Sequence, residues 1–212
     1  QKTGKEKCIV FTHGVTANHD MFKKQVEYFR NEYRVITWDV PLHGKSRPYI
    51  EFLYKNAARD LNSILEGENI DGLVIDLRDN GGGYLSAVVS MLDEFLIDNG
   101  KPMFSTEYYT NGSYRREEYL ATNQEQKPYE IVTLINGNSA SASEVFASSM
   151  QEHGGHLVVG TTSFGKGTMQ TDVPLQAMLG DSIHLTIGKW FTSNEGWVHY
   201  DGGSDGVTPD VI

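Results

Sequence analysis

The sequence predicts an α/β fold: a central, largely parallel sheet flanked by helices, with a β-rich C-terminal part. Three observations carry this expectation. Short apolar runs of strand length alternate with helical stretches through the first part of the chain, the pattern of crossover connections. Turn-forming runs rich in Gly, Asn and Ser follow the apolar stretches ending at Leu77 and Ile135, where strands hand over to helices. Beyond about residue 157 the pattern changes to β-prone segments separated by Gly, Asn and Asp.

In chain order, Lys7 to Thr12 reads as a buried strand, Met21 to Arg30 as a helix and Tyr33 to Val40 as a second strand. Asn56 to Glu66 places Ala57, Ala58, Leu61, Ile64 and Leu65 on one helical face. Gly72 to Leu77 is an uninterrupted apolar strand running into Arg78-Asp79-Asn80-Gly81-Gly82-Gly83, a sharp turn, and then a buried helix to about Ile97. The polar, Tyr-rich stretch Ser105 to Lys127 suits an exposed hairpin or lid. A strand at Ile131 to Ile135 precedes a helix of small residues starting near Ser141. Leu157 to Val159, Thr168 to Leu175, Ser182 to Trp190 and Trp197 to Tyr200 complete the strands. The strands at Cys8, Val35 and Leu73 are too apolar for sheet edges and lack linker-like sequence after them, which predicts one continuous domain.

Composition narrows the function classes. The 212 residues hold 18 Lys+Arg against 28 Asp+Glu, for a formal net charge of -10, with 39% hydrophobic residues and 22 glycines. Collagen, long disorder and coiled coil are excluded. A chain of this size buries roughly 70% of its surface, enough for a core without metal or disulfide. The acidic balance opposes a nucleic acid or an anionic membrane surface as partner, since both need clustered cations. Cys8 is the single cysteine, so no intramolecular disulfide forms, and within Cys8-Ile9-Val10-Phe11 it reads as a small core residue. The longest apolar stretch, Leu85 to Ile97, is interrupted by Asp93 and Glu94 and falls short of the roughly 20 residues of a membrane span. Gln1-Lys2-Thr3-Gly4-Lys5 has neither Met nor a signal-peptide apolar region, so the chain reads as a mature form, a fragment or an expression product.

Two segments carry chemistry. In Asn136-Gly137-Asn138-Ser139-Ala140-Ser141-Ala142-Ser143-Glu144, a strand enters a small-residue turn and then a helix, exposing a side chain at the C-terminal edge of a parallel sheet, where ligands bind. Ser141 and Glu144 have capping-box spacing. A cap needs one serine, however, and three alternating with alanine leave room for a nucleophile whose following amide helps to hold an oxyanion. Gly160-Thr161-Thr162-Ser163-Phe164-Gly165-Lys166-Gly167-Thr168 nearly satisfies the phosphate-cradling motif, but glycine at 167 removes the metal-binding hydroxyl. The strand-like alternation after it removes the helix N-terminus that binds phosphate. A glycine-flanked lysine can instead serve as a base for serine if burial keeps it neutral. His153 and His156 flank a Gly-Gly turn at a helix end, where positive charge suits the dipole. No nearby Cys or carboxylate set completes a metal site, and no cofactor is expected.

From Gly72 onward the chain resembles the C-terminal processing peptidases, or tail-specific proteases, which are serine proteases with a Ser/Lys catalytic pair. The matching stretches are Gly72 to Gly83, Ser139 to Glu144, Val159 to Gln170 and Gly206-Val207-Thr208-Pro209-Asp210-Val211. The resemblance implies Ser141 as nucleophile, Lys166 as general base and Gln170 as the residue that orients the lysine. It also implies oxyanion donors from the Ala142 amide and a glycine amide, Gly82 or Gly83. Gly81 departs from the family's usual proline, which leaves the choice of glycine open. By the same resemblance the partner is a protein or peptide substrate, and the location is extracytoplasmic, periplasmic or cell-surface in bacteria. Oligomeric state is not readable.

Residues 1–60 resemble the opening of an α/β-hydrolase, through Phe11-Thr12-His13-Gly14 and Trp38-Asp39-Val40-Pro41-Leu42-His43-Gly44-Lys45-Ser46. His13 and His43 there match loop positions with structural roles. The nucleophile elbow such an enzyme shows near residue 80 is missing, and the formal match Gly202-Gly203-Ser204-Asp205-Gly206 lies in a turn with no helix after it. The processing peptidases normally carry a PDZ domain ahead of the region that begins here, and no match to one is found. The two resemblances together imply a chimera with its seam between Arg47 and Asp71 and a peptidase-like core over 61–212.

The function expected is a serine endopeptidase working through an acyl-enzyme. To act near neutral pH as a base, Lys166 must be held as the neutral amine, with Phe164 and Met169 as apolar neighbours expected to favour that form. The alternatives are a catalytically inactive chimeric scaffold and, on the hydrolase half, an esterase.

Overall fold

The computed structural model describes residues 7–13, 17–48, 51–68, 70, 72–110, 112–175, 181–200 and 205–212. Gly14 of the hydrolase-like loop, Asp71 at the end of the expected seam and Gly202 to Ser204 of the formal elbow match lie outside the described residues. The chain divides into two compact units, Gln1–Ile70 and Asp71–Ile212.

In the first unit β1 (Cys8–Phe11) and β2 (Arg34–Thr37) pair in parallel, Cys8 opposite Arg34. The crossover is a 3-10 turn, His19–Phe22, continuing into α1 (Lys23–Phe29). It returns onto the sheet because Phe22 stacks on Phe11 at 5.0 Å and Phe29 lies 6.2 Å from the same ring. Cys8 is half-buried, since a two-stranded sheet leaves each strand with a free edge. At the end of β2, Asp39 accepts hydrogen bonds from the His19 amide and Nδ1, both at 2.7 Å, and from the Lys45 amide at 2.8 Å. His13 Nε2 accepts the Val40 amide at 3.1 Å. The hydrolase-like positions therefore fasten loops. α2 (Tyr54–Gly67) turns Ala58, Asn62 and Leu65 inward, the i, i+4, i+7 stripe of an amphipathic helix.

The second unit opens with β3 (Gly72–Asp76), α3 (Leu85–Phe95), the hairpin β4 (Pro102–Thr110) and β5 (Ser113–Leu120), and β6 (Glu130–Ile135). It continues with α4 (Ala142–Glu152), β7 (Leu157–Gly160), β8 (Thr168–Pro174) and β9 (Ser182–Thr192). A parallel sheet has the order β3-β6-β7, and an antiparallel sheet the order β5-β4-β9-β8. The mixed α/β class and the β-rich C-terminal part are as the sequence predicts. The parallel strands, however, fall in two sheets, and β3 is an edge with Val74 61% exposed. An apolar run reports which faces a strand offers, not how many neighbours it has.

The core lies where α3 and α4 meet the sheets. Phe95 and Phe146 pack edge-to-face at 6.3 Å, and Leu92, Met103, Phe104, Ile135, Met150 and Val158 are fully buried. The Tyr-rich stretch is a hairpin as expected, but its first strand is interior: Phe104, Ser105 and Thr106 are buried, with Phe104 stacked on Tyr119 at 4.5 Å. Trp197 to Tyr200 forms no strand. Its side chains reach to the Gly165–Gly167 loop: Trp197 Nε1 donates to the Gly167 carbonyl at 2.9 Å, and His199 Nδ1 lies 3.1 Å from the Gly165 carbonyl.

Candidate active site

The site is assembled from three connections at the C-terminal ends of β3, β6 and β7, and hydrogen bonds tie them together. After β6, Asn136 to Ala140 turns the chain sharply into α4. Ser139 makes that turn: fully buried, its Oγ accepts the Asn136 amide at 2.9 Å and donates to the Leu77 carbonyl at 2.7 Å. The Ala140 amide donates to the Asn80 carbonyl and the Phe164 amide to the Ser139 carbonyl, both at 3.0 Å. The β6 turn is thus anchored on one side to the glycine turn after β3 and on the other to the loop after β7.

Ser141 follows at the head of α4 with φ 57° and ψ -120°. A positive φ at a non-glycine residue is strained backbone, held only where neighbours over-determine it. The strand–turn–helix strain of a nucleophile elbow is therefore present at Ser141, though without its glycines. The Ser141 carbonyl accepts the Glu144 and Val145 amides, and the Ser141 amide donates to Glu144 Oε2 at 2.8 Å. As first residue of the helix, Ala142 has an amide with no intrahelical acceptor, and no acceptor among the described residues takes it.

The glycine turn presses against this point. Gly82 has φ 93°, and a Cβ there would lie 2.6 Å from the Ala140 carbonyl oxygen and 2.7 Å from the Ala142 nitrogen. Its amide is committed to Asn80 Oδ1 at 3.0 Å. No acceptor among the described residues takes the Gly83 amide, and Gly83 lines the cleft. Asp79 holds the turn by accepting from Asn136 Nδ2 at 3.0 Å and Asn138 Nδ2 at 2.8 Å. Those amides, Asn138 first, hold the Asp79 carboxyl below its ordinary range.

Ser141, Ala142, Lys166, Gln170 and Gly83 line one cleft of about 610 Å³ in the second unit. Its apolar walls come from Tyr84, Leu85, Tyr108, Val145, Ile187 and Trp190. Lys166 stands on a loop fixed from behind by the Trp190 Nε1–H donating to its carbonyl at 2.9 Å. Met169 lines the cleft as expected, whereas Phe164 is 57% exposed and turned to solvent. Gln170 donates to Thr168 Oγ1 at 2.9 Å. No hydrogen bond among the described residues joins it to Lys166. The loop runs from β7 to β8 without a helix, so the near-match to a phosphate cradle has no helix N-terminus. His153 directs its two ring nitrogens at the Ile97 and Pro102 carbonyls, at 2.9 and 3.4 Å. Among the described residues no group of three or more His, Cys, Asp or Glu is arranged to hold a metal, and no described helix is long and apolar enough to cross a membrane.

Sequence reasoning gave Glu144 no role beyond capping. It is fully buried and takes four hydrogen bonds from two segments of chain; the Ser-x-x-Glu spacing was its only visible signal. The closing motif also has a structural use. Asp210 Oδ2 accepts the Val158 amide and Oδ1 accepts Gln151 Nε2, and the Val207 amide donates to Ser163 Oγ at 2.7 Å, pinning β7, α4 and the lysine loop together.

The family model for peptidase family S41 matches residues 50–212. The chain belongs to peptidase family S41. Within that family it is similar to the carboxy-terminal processing protease CtpB of Bacillus subtilis strain 168, 42% identical over 138 residues, which are 65% of this chain and 28% of that protein. It is also similar to a probable CtpA-like serine protease of Staphylococcus saprophyticus, 31% identical over 206 residues, 93% of this chain and 37% of that protein. Among solved S41 structures, the photosystem II D1 C-terminal processing protease aligns with a TM-score of 0.60 and 31% identity over 74% of this chain and 38% of that one. The chain spans about a third of the length of the curated relatives it matches.

Proposed function

We propose that this chain is a serine endopeptidase with a Ser141/Lys166 pair, acting on protein or peptide substrates. The observation that carries the reading is the strained Ser141 at the head of α4, beside an uncommitted Ala142 amide, in the cleft that Lys166 also lines. Membership of S41 supports it. In the forward half, Lys166 in its amine form takes the Ser141 Oγ proton as the oxygen attacks the scissile carbonyl. The oxyanion sits against the Ala142 and Gly83 amides, donors already fixed before charge develops. Collapse breaks the C–N bond, and the Lys166 ammonium returns the proton to the leaving amine. Water then attacks the acyl ester with Lys166 again as base, releasing the acid and restoring Ser141. Gln170 serves as the orienting residue by turning its carboxamide from Thr168 to the lysine. Degradation of an unfolded protein, scored for the parent, Ser141→Ala and Lys166→Ala, tests the reading; turnover in either variant would refute it.

A catalytically inactive scaffold is the second reading, favoured by the Gln170 carboxamide resting on Thr168 Oγ1. It predicts no turnover and no fluorophosphonate labelling in the parent. An esterase using the first unit predicts labelling outside Ser141.

For the first unit we propose an α/β-hydrolase-like origin joined to the peptidase core between Arg47 and Asp71. The β1–α1–β2 crossover closed by Asp39 supports this. Amplification of one genomic segment spanning that interval would show a natural gene, and its failure an artificial joint.

A further inference from the structure

Glu144 joins the two halves of the site. Its Oε2 accepts the Ser141 amide and the Lys166 amide, each at 2.8 Å. Its Oε1 accepts the Ser163 hydroxyl at 2.5 Å and the Gly165 amide at 2.6 Å. The same Ser163 Oγ accepts the Val207 amide at 2.7 Å. Two donors meet each oxygen, so the acceptor positions of the carboxyl group are shared between the nucleophile turn and the lysine loop. A helix cap would use only the Ser141 contact; the other three run to a segment about twenty residues away, the one that carries Lys166.

Resting on the Ser141/Lys166 reading above, we propose that Glu144 is a positioning residue, a shared backbone anchor that fixes the lysine loop against the nucleophile turn. It touches neither substrate nor reacting atoms. Because one oxygen holds both amides, a displacement of either segment is felt by the other, and the separation of base from nucleophile is set by the carboxylate. Glu144→Gln keeps the size but turns an NH2 group toward backbone N–H donors, which releases one of the two segments.

The test compares wild type, Glu144→Gln and Ser163→Ala by steady-state kinetics on an unfolded protein substrate and by amide hydrogen exchange. The expected result for Glu144→Gln is a kcat about 100-fold lower with KM within about threefold, the cost of misplacing a reacting group by about 1 Å. Exchange at Ser141, Gly165 and Lys166 accelerates together while the middle of α4 stays protected. A kcat within about threefold of wild type in a folded Glu144→Gln protein overturns the proposal, since such a change lies well inside the about 100-fold that misplacement costs. So does a parallel loss of kcat, KM and protection throughout α4, which marks a structural role only. If Glu144→Gln does not fold, Ser163→Ala decides: it removes one of the four donors and should accelerate exchange at Gly165 and Lys166, and unchanged exchange overturns the anchor. If wild type shows neither turnover nor fluorophosphonate labelling, the protease reading fails. The anchor then stands or falls on whether the three amides are protected in wild type and released in the variants.

Discussion

Gly82 lies so close to Ser141 that a side chain between them has no room: a Cβ placed on Gly82 would lie 2.9 Å from the Ser141 Cβ. With φ at 93°, residue 82 has neither the conformation nor the space for a side chain. Gly82→Ala is therefore expected to displace the nucleophile turn, abolishing peptide hydrolysis and lowering stability by about 1–3 kcal/mol. Activity and thermal melts measured together check this. Gly81→Ala is the control, because a Cβ there meets nothing within 4 Å.

The three serines of the motif separate by role. Ser139→Ala leaves the Asn136 amide without its acceptor and removes one of the two donors to the Leu77 carbonyl among the described residues, the other being the Asn80 amide, and should cost about 1–3 kcal/mol of stability, with activity lost only in proportion to unfolding. Ser141→Ala should leave the melting temperature nearly unchanged and abolish turnover. Differential scanning calorimetry beside a protein-degradation assay distinguishes the two.

Trp190 supports the lysine from behind. It is 2% exposed and its Nε1–H donates to the Lys166 carbonyl. Trp190→Phe keeps a ring but leaves that carbonyl unpaired, so about 1–3 kcal/mol of stability should be lost and kcat should fall more than KM rises.

Acid should loosen the first unit through Asp39. Burial alone would raise this carboxyl, but the Lys45 and His19 amides and the His19 ring outweigh it and hold it at about 2, against an ordinary 3.8. A folded-state pKa below the unfolded one contributes stability that is complete above the unfolded value and disappears as pH falls through the folded one. Melting temperature should therefore fall between about pH 4 and pH 2, following the two values. Asp39→Asn should be less stable at neutral pH and show a shallower acid limb in thermal melts.

Much of this was legible in the residues, for identifiable reasons. The Ser141 turn, the Lys166 loop and the alternation of strands with helices are local patterns, and the order of the four peptidase-like stretches carried the family. What stayed hidden depends on contacts distant in sequence. Glu144 has the spacing of a cap partner to Ser141, and nothing local tells that the loop at 163–166 folds onto the same carboxylate. Gly82 and Gly83 are neighbours of identical chemistry; Asn80 Oδ1 taking one amide distinguishes them. Trp197 and His199 alternate like strand residues because alternation records which way side chains point, and here they point at a loop. The apolar run at Gly72 to Leu77 gave β3 correctly but not its place at a sheet edge.

The most direct test of the Ser141/Lys166 assignment is fluorophosphonate labelling with peptide mapping, applied to the parent, Ser141→Ala and Lys166→Arg. The account predicts a single adduct on Ser141 in the parent, none in Ser141→Ala, and none in Lys166→Arg, because a guanidinium does not give up its proton near neutral pH. An adduct on another residue, or labelling of Lys166→Arg at the parent's rate, would contradict it.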